Sequence, residues 1–318
     1  MLDRLPLFEA LADARQVLVA GAGGGFDVMS GLPLAFALRR LGKTVHLANL
    51  TFSYLGATEA RQLAPHLYVV EASTSSTERY FPEKHLAAWL AAHGHDDRVH
   101  CFEKTGVATM RDAYRALATS LEVDTVILVD GGTDILMSGD EAGLGTPAED
   151  ITSLLAADAL EGIARKLVVA VGFGVDAFHG VAHADFLENV AALAREGGYL
   201  GAFSLHAGVP EVDAWLDAVS YVQARTPGRE SIVCASIADA VLGHFGDHRS
   251  VPRTREADKP LFINPLMSLV WAFDLGALAK RCLYREHVRS TATIFEVHAA
   301  IEAFRRETKV RSRRALPM

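Results

Sequence analysis

Cysteine is scarce. The 318 residues contain three, Cys101, Cys234 and Cys282, far apart, odd in number and without a CxxC pair. A disulfide framework and a structural zinc knuckle are both disfavoured, and the usage fits a reducing cytoplasm. Net positive charge is also lacking: the formal charge is −8 and the pI is near 5.9. No basic, aromatic-interleaved face stands out, so nucleic acid and anionic membrane surfaces are poor partners. The most apolar stretch, 261–279, is broken by Asn264, Pro265 and Asp274, which makes a poor membrane span and a good buried segment. The first residues have no basic region followed by a long apolar run, so no signal peptide is expected. Repeats and low-complexity tracts are missing as well.

What is present is half hydrophobic residues against 22% charged, which excludes a disordered chain. A mean hydropathy of +0.17 suggests a large core or a subunit interface, and so allows a homo-oligomer. Short apolar runs at 16–20, 44–47, 67–70, 98–102, 125–129, 167–171 and 199–205 read as strands, and helical periodicity fills most of the intervals. Continuous apolar strands separated by helices predict an α/β fold. It should be three-layer and Rossmann-like, with a mostly parallel sheet covered by helices on both faces. The last third is more helical, with helices expected over 211–225, 232–242, 266–279 and 293–307. A short strand is expected near 261–263 and a polar loop over 246–259. No break in composition divides residues 1–308. Residues 309–318 form a basic tail, KVRSRR over 309–314, which reads as a frayed, solvated end rather than a polyanion-binding arm.

Three polar loops follow three apolar strands, and parallel packing would bring them to one edge of the sheet. The first holds Gly21, Gly23, Gly24, Gly25 and Asp27. Clustered glycines permit a sharp turn and close approach of backbone N–H groups to an anion such as a phosphate. The competing reading is a tight turn needed only for packing. The dinucleotide fingerprint is incomplete, because its last glycine position falls on Phe26. Asn49 and Thr51 occupy the end of the second strand, where a ribose-binding acid is expected. An NAD-type oxidoreductase is therefore a weaker reading, and no Lys-Ser or Lys-Thr follows to make a P-loop.

The second loop holds Asp130, Gly131, Gly132, Thr133 and Asp134, then Asp140 and Glu141. Oxygen ligands so crowded suit a hard divalent cation, Mg²⁺ or Mn²⁺, with Asp130 and Asp134 as candidate ligands, or general acid–base work. The alternative is a solvated acidic loop. The third loop carries His179 and His183, four residues apart, then Asp185. On a helix the two histidines could share a metal, but Gly180 weakens the helix and no HExxH glutamate is present. Proton transfer or a structural role are the other readings. No GxSxG elbow supports a hydrolase serine.

The blocks GAGGGFDV, GLPLAFALRRLGKTV and LVDGGTDILMSGDEAGLGTPAED resemble a prokaryotic family, domain-of-unknown-function family 1152, over roughly residues 16–246. That family typically carries GAGGGGDV near its start and an LVDxGGDxLxxGDExxLxSPxxD-like block. Phe26 replaces the usual fourth glycine here, and Thr133 stands where glycine is common. The resemblance implies a cytoplasmic Rossmann-like protein whose glycine-rich and Asp-rich blocks share one cleft. It brings no established reaction.

The resulting expectation is a hydrolase or transferase acting on a phosphate-bearing or nucleotide-like small molecule. Gly21, Gly23, Gly24, Gly25, Asp27, Asn49, Thr51, Asp130, Gly131, Gly132 and Thr133 would contact the ligand. Asp134, Asp140, Glu141, His179 and His183 would serve catalysis. The alternative is a non-catalytic nucleotide or metabolite sensor, or a partner subunit.

Overall fold

The computed structural model describes residues 5–255 and 261–316. The first four residues, 256–259 of the expected polar loop and the last two of the tail lie outside them. Nine strands form one sheet: β1 (Gln16–Gly21), β2 (Thr44–Leu50), β3 (Arg61–Ala64), β4 (Leu67–Val70), β5 (Val99–Phe102), β6 (Thr125–Gly131), β7 (Arg165–Val171), β8 (Tyr199–Ser204) and β9 (Leu269–Asp274). Their order is β3-β4-β5-β2-β1-β6-β7-β9-β8. The five central strands, β5-β2-β1-β6-β7, are parallel. β3, β4 and β9 run antiparallel to their neighbours. The strand order reverses between β1 and β6, and the crevice outside the carboxyl ends of these strands is where ligands bind in open α/β sheets.

Side-chain alternation divides the interior into two cores. Leu18, Val126, Leu128 and Val168 face one layer, with helices α3 (Val107–Ser120), α4 (Pro147–Asp158), α5 (His183–Arg195), α8 (Leu275–Arg281) and α9 (Ile294–Glu307). Val17, Val19, Ile127 and Val169 face the other, with α1 (Leu32–Arg40), α2 (Pro82–Ala92), α6 (Pro210–Gln223) and α7 (Ile232–Val241). Two-sided burial explains why the strands are continuous apolar runs. Among the described residues no helix is long and apolar enough to cross a membrane.

Two expectations need correction. The helix expected over 266–279 is a 3-10 turn (Pro265–Ser268), then β9, and only then helix α8. Its LVWAFD run is β-branched and aromatic, and it inserts antiparallel between β7 and β8, where both faces are covered. A short apolar run suits a buried strand or a helix equally until its neighbours are known. The tail is not frayed. Arg311 pairs with Asp140, Glu141 and Glu188, and Arg314 pairs with Asp185 and Glu188. Its charge meets an acidic surface that is dispersed along the sequence.

Candidate functional site

The loops after β1, β6 and β7 converge at the switch point and bring carboxylates with them. Gly24 and Gly25 have φ of 92° and 63°, a left-handed turn that glycine adopts without strain. The turn folds the loop over Asp27, whose Oδ2 accepts the Gly23 N–H at 2.6 Å. At least this loop amide is therefore engaged by the chain's own carboxylate. Asn49, at the end of β2, braces the turn: its Nδ2 donates to Gly25 O at 2.9 Å and its Oδ1 accepts the Val28 N–H at 3.3 Å. The same Nδ2 donates to Glu83 Oε1 at 2.8 Å. Thr51 is buried, and its hydroxyl accepts the Ser53 N–H.

β6 carries Asp130 next to its terminal Gly131, and the Asp130 Oδ2 accepts the Ile135 N–H at 3.2 Å. Asp134 Oδ2 accepts both the Thr146 N–H, at 2.6 Å, and the Thr146 hydroxyl, at 3.1 Å. The loop after β7 adds Asp176, which accepts the Thr133 N–H at 2.6 Å and its hydroxyl at 3.0 Å. Asp150, in the first turn of α4, completes the group. It is 2% exposed, and its Oδ1 has no hydrogen-bond partner. Carboxylate oxygens of Asp27, Asp130 and Asp150 lie within 4.8 Å of one another. Missing side chains leave the room: a Cβ on Gly23 would stand 2.7 Å from Asp150 Oδ1, and one on Gly132 would stand 2.9 Å from Asp176 and 3.0 Å from Asp130.

Crowding and burial favour the neutral acids. Burial lifts Asp27 to about 8, opposed by the Gly23 N–H and reinforced by Asp134. Burial, with Asp134 and Asp27 as negative neighbours, holds Asp130 well above the ordinary carboxyl range. Asp150 is raised by burial and then by Asp134 and Asp130, and Asp176 by burial and then by Asp134. Asp134 is raised by burial, against its bonds to Thr146. Glu83, behind Asn49, is lifted by burial to about 7.

The expected site residues thus separate into groups. Asp27, Asp130, Gly131, Gly132, Thr133 and Asp134 come together. Asp140 and Glu141 turn elsewhere: Glu141 is fully buried, accepts the Ser138 and Gly139 N–H groups, and is bound by Asn189 and Arg311. His179 is exposed, yet close enough to Asp134 to favour its charged form. His183 packs edge-on against Phe173 and lines a groove of about 780 Å³ with Arg313 and Arg314. Neither histidine belongs to a metal-capable group among the described residues. Asp150 and Asp176 are the acids that the sequence reading passed over. Asp176 follows Gly-Phe-Gly at the end of a strand, a signal equal to that of Asp27. Asp150 lies three residues after Pro147, in a helical first turn, where a capping role hides it.

Comparison with family models matches residues 56–315 to a family described as a protein of unknown function, DUF1152. The matched span takes in Asp130, Asp134, Asp150, Asp176 and residues 309–315 of the basic tail, and begins after the glycine-rich loop. No curated protein and no solved structure matches the chain.

Proposed function

The chain belongs to the DUF1152 family, and from the geometry of its own site we propose a divalent-cation-dependent hydrolase or transferase acting on a phosphate-bearing or nucleotide-like small molecule. The observation that carries the reading is Asp150 Oδ1, buried and unpartnered beside Asp27 and Asp130. A charge so placed calls for a cation or a proton, and an oxygen-only donor set suits Mg²⁺ or Mn²⁺. Asp27, Asp130 and Asp150 would hold the ion. Such an ion supplies charge neutralisation for phosphate oxygens and activates water. Without it the carboxylates would repel a phosphate, so cation and ligand should bind in order. Asp134 and Asp176, each anchored by a threonine, set the negative field. His179, beside Asp134, is the group placed to exchange a proton with solvent. Three free, buried cysteines are consistent with a reducing, cytoplasmic setting.

The test is thermal unfolding and phosphate release with Mg²⁺ or Mn²⁺, alone and with a panel of nucleotides and phosphorylated metabolites. The reading requires a rise in Tm with cation, a further rise with one ligand class, and turnover lost in Asp130→Asn. No shift with any combination would sink it.

The alternative is a sensor that takes up cation and ligand at the same acids without turnover. A sensor would bind equally well after Asp134→Asn and show no turnover, whereas an enzyme would lose rate with modest change in affinity.

A further inference from the structure

A second cluster, of different chemistry, stands at the carboxyl end of α7. Asp239 is buried in the last turn of that helix. Beyond the cap at Leu242, Gly243 adopts φ of 84°. The Gly243 N–H then returns to Ala240 O at 3.1 Å and the His244 N–H to Asp239 O at 2.9 Å. This paired closure is a regular way of ending a helix, and it fixes His244 next to Asp239. Gly246 and Asp247 pair antiparallel with Ile263 and Phe262, and that short ladder precedes His248, which lies alongside His244. The two imidazoles lie stacked, 7° apart in plane, with centroids at 3.8 Å; because an ion lies in the plane of each imidazole it binds, shared ligation turns the exposed His244 ring out of this stack. His248 Nε2 stands 3.6 Å from Asp239 Oδ1. The Ser250 hydroxyl donates to Asp239 Oδ2 at 2.8 Å, which leaves Oδ1 toward the ring. One donor atom from each of Asp239, His244 and His248 lies within 4.8 Å of the other two.

We propose that Asp239, His244 and His248 bind a first-row divalent transition-metal ion, with Zn²⁺ as the probe. Two imidazole nitrogens and one carboxylate oxygen form a borderline donor set that favours Zn²⁺ or Co²⁺ over Mg²⁺. Ser250 orients the carboxylate ligand, as outer-shell partners do in such sites. Three protein ligands leave a coordination position for water or a ligand. Asp239 and Ser250 also line a groove of about 530 Å³ between α6 and α7, so that position would sit at a groove rim. The ion would tie the end of α7 to the strand segment at Gly246 and Asp247. This site shares no residue with the carboxylate cluster and does not depend on its function.

The experiment titrates Zn²⁺, by calorimetry, and Co²⁺, by visible absorption, into tag-free full-length chain. The protein is first stripped with chelator and then held in excess Mg²⁺, which occupies oxygen-only sites. One ion per chain is expected, with affinity falling in acid because protons compete with the ion for its ligand atoms. Ser250→Ala should weaken binding by about 10-fold and His244→Ala or His248→Ala by at least about 100-fold. Asp130→Asn should leave it unchanged. His244 is exposed and His248 half-buried, so the double variant should keep the metal-free Tm. If the alanine pair unfolds, His244→Gln with His248→Gln gives the same readout. Absence of uptake at neutral pH, equal uptake by the double variant, or loss of uptake in Asp130→Asn would overturn the proposal.

Discussion

Asp150 shows how much one atom can decide. Its Oδ1 is buried without a partner among acids that repel it. In alkaline solution, where burial and the charges of Asp134 and Asp130 oppose the ionised Asp150 carboxylate, Asp150→Asn removes that charge at constant shape. The metal-free variant should therefore be more stable by about 1–3 kcal/mol, read as a rise in Tm of roughly 2–4 °C per kcal/mol. The same variant should lose most of the stabilisation by Mg²⁺ or Mn²⁺. A fall in metal-free Tm would show instead that Asp150 is protonated and donates a hydrogen bond. Gly132→Ala tests the space rather than the charge. Its Cβ would meet Asp176 at 2.9 Å and Asp130 at 3.0 Å, so overpacking should cost about 1–3 kcal/mol and cation binding should weaken in parallel. Residue chemistry was only partly legible in the sequence. Asp27 and Asp134 follow glycine runs and Asp130 precedes one, all at strand ends, and they could be read from that pattern. Asn49 could be placed at the strand end, but its brace on Gly25 and Val28 depends on a contact 24 residues away, which no spacing rule encodes.

At the scale of elements, the parallel strands were legible because burial on both faces writes itself as unbroken apolar runs. β9 was not, since the same run permits strand or helix and the choice rests on the slot between β7 and β8. The tail was misread for a related reason. Six residues rich in arginine look solvated until Asp140, Glu141, Asp185 and Glu188 are seen on one surface. Arg311 is the central contact, because Glu141 is 0% exposed while Arg311 is only partly so. Arg311→Ala leaves the Glu141 carboxylate with Ser138, Gly139 and Asn189 as donors but without its cation. The expected loss is about 1.5–3 kcal/mol, the range for a hydrogen bond to a charged group. Arg314 is more exposed, so Arg314→Ala should cost less, and its contribution should fade as salt is raised. Urea unfolding of the two variants at low and high ionic strength checks the order. An Arg311→Ala chain as stable as the parent would return the tail to a passive end.

For the molecule as a whole, the strand order matters more than any single loop. Reversal between β1 and β6 opens the crevice that the loops after β1, β6 and β7 fill with acids. Burying them together links fold stability to pH. In the folded chain burial lifts Asp27 to about 8 and Glu83 to about 7, from ordinary values of 3.8 and 4.5. Between those limits the folded chain holds protons that the unfolded chain has released, so stability falls as pH rises. The loss begins near the ordinary carboxyl values, and the share that Asp27 contributes is complete once pH passes about 8. In chelator, Tm should therefore decline from neutral to mildly alkaline solution, above the range in which buried His100, lowered by burial to about 4 from an ordinary 6.5, acts in the opposite sense. A divalent cation takes the place of the protons on Asp27, Asp130 and Asp150, so in Mg²⁺ or Mn²⁺ the decline should flatten and cation affinity should increase with pH. Asp27→Asn should flatten the chelator curve without added metal, because it removes the group responsible for the upper part of the window. A Tm that climbs with pH in chelator would mean that these carboxylates are ionised and compensated in the folded chain, and the cluster would then need no cation.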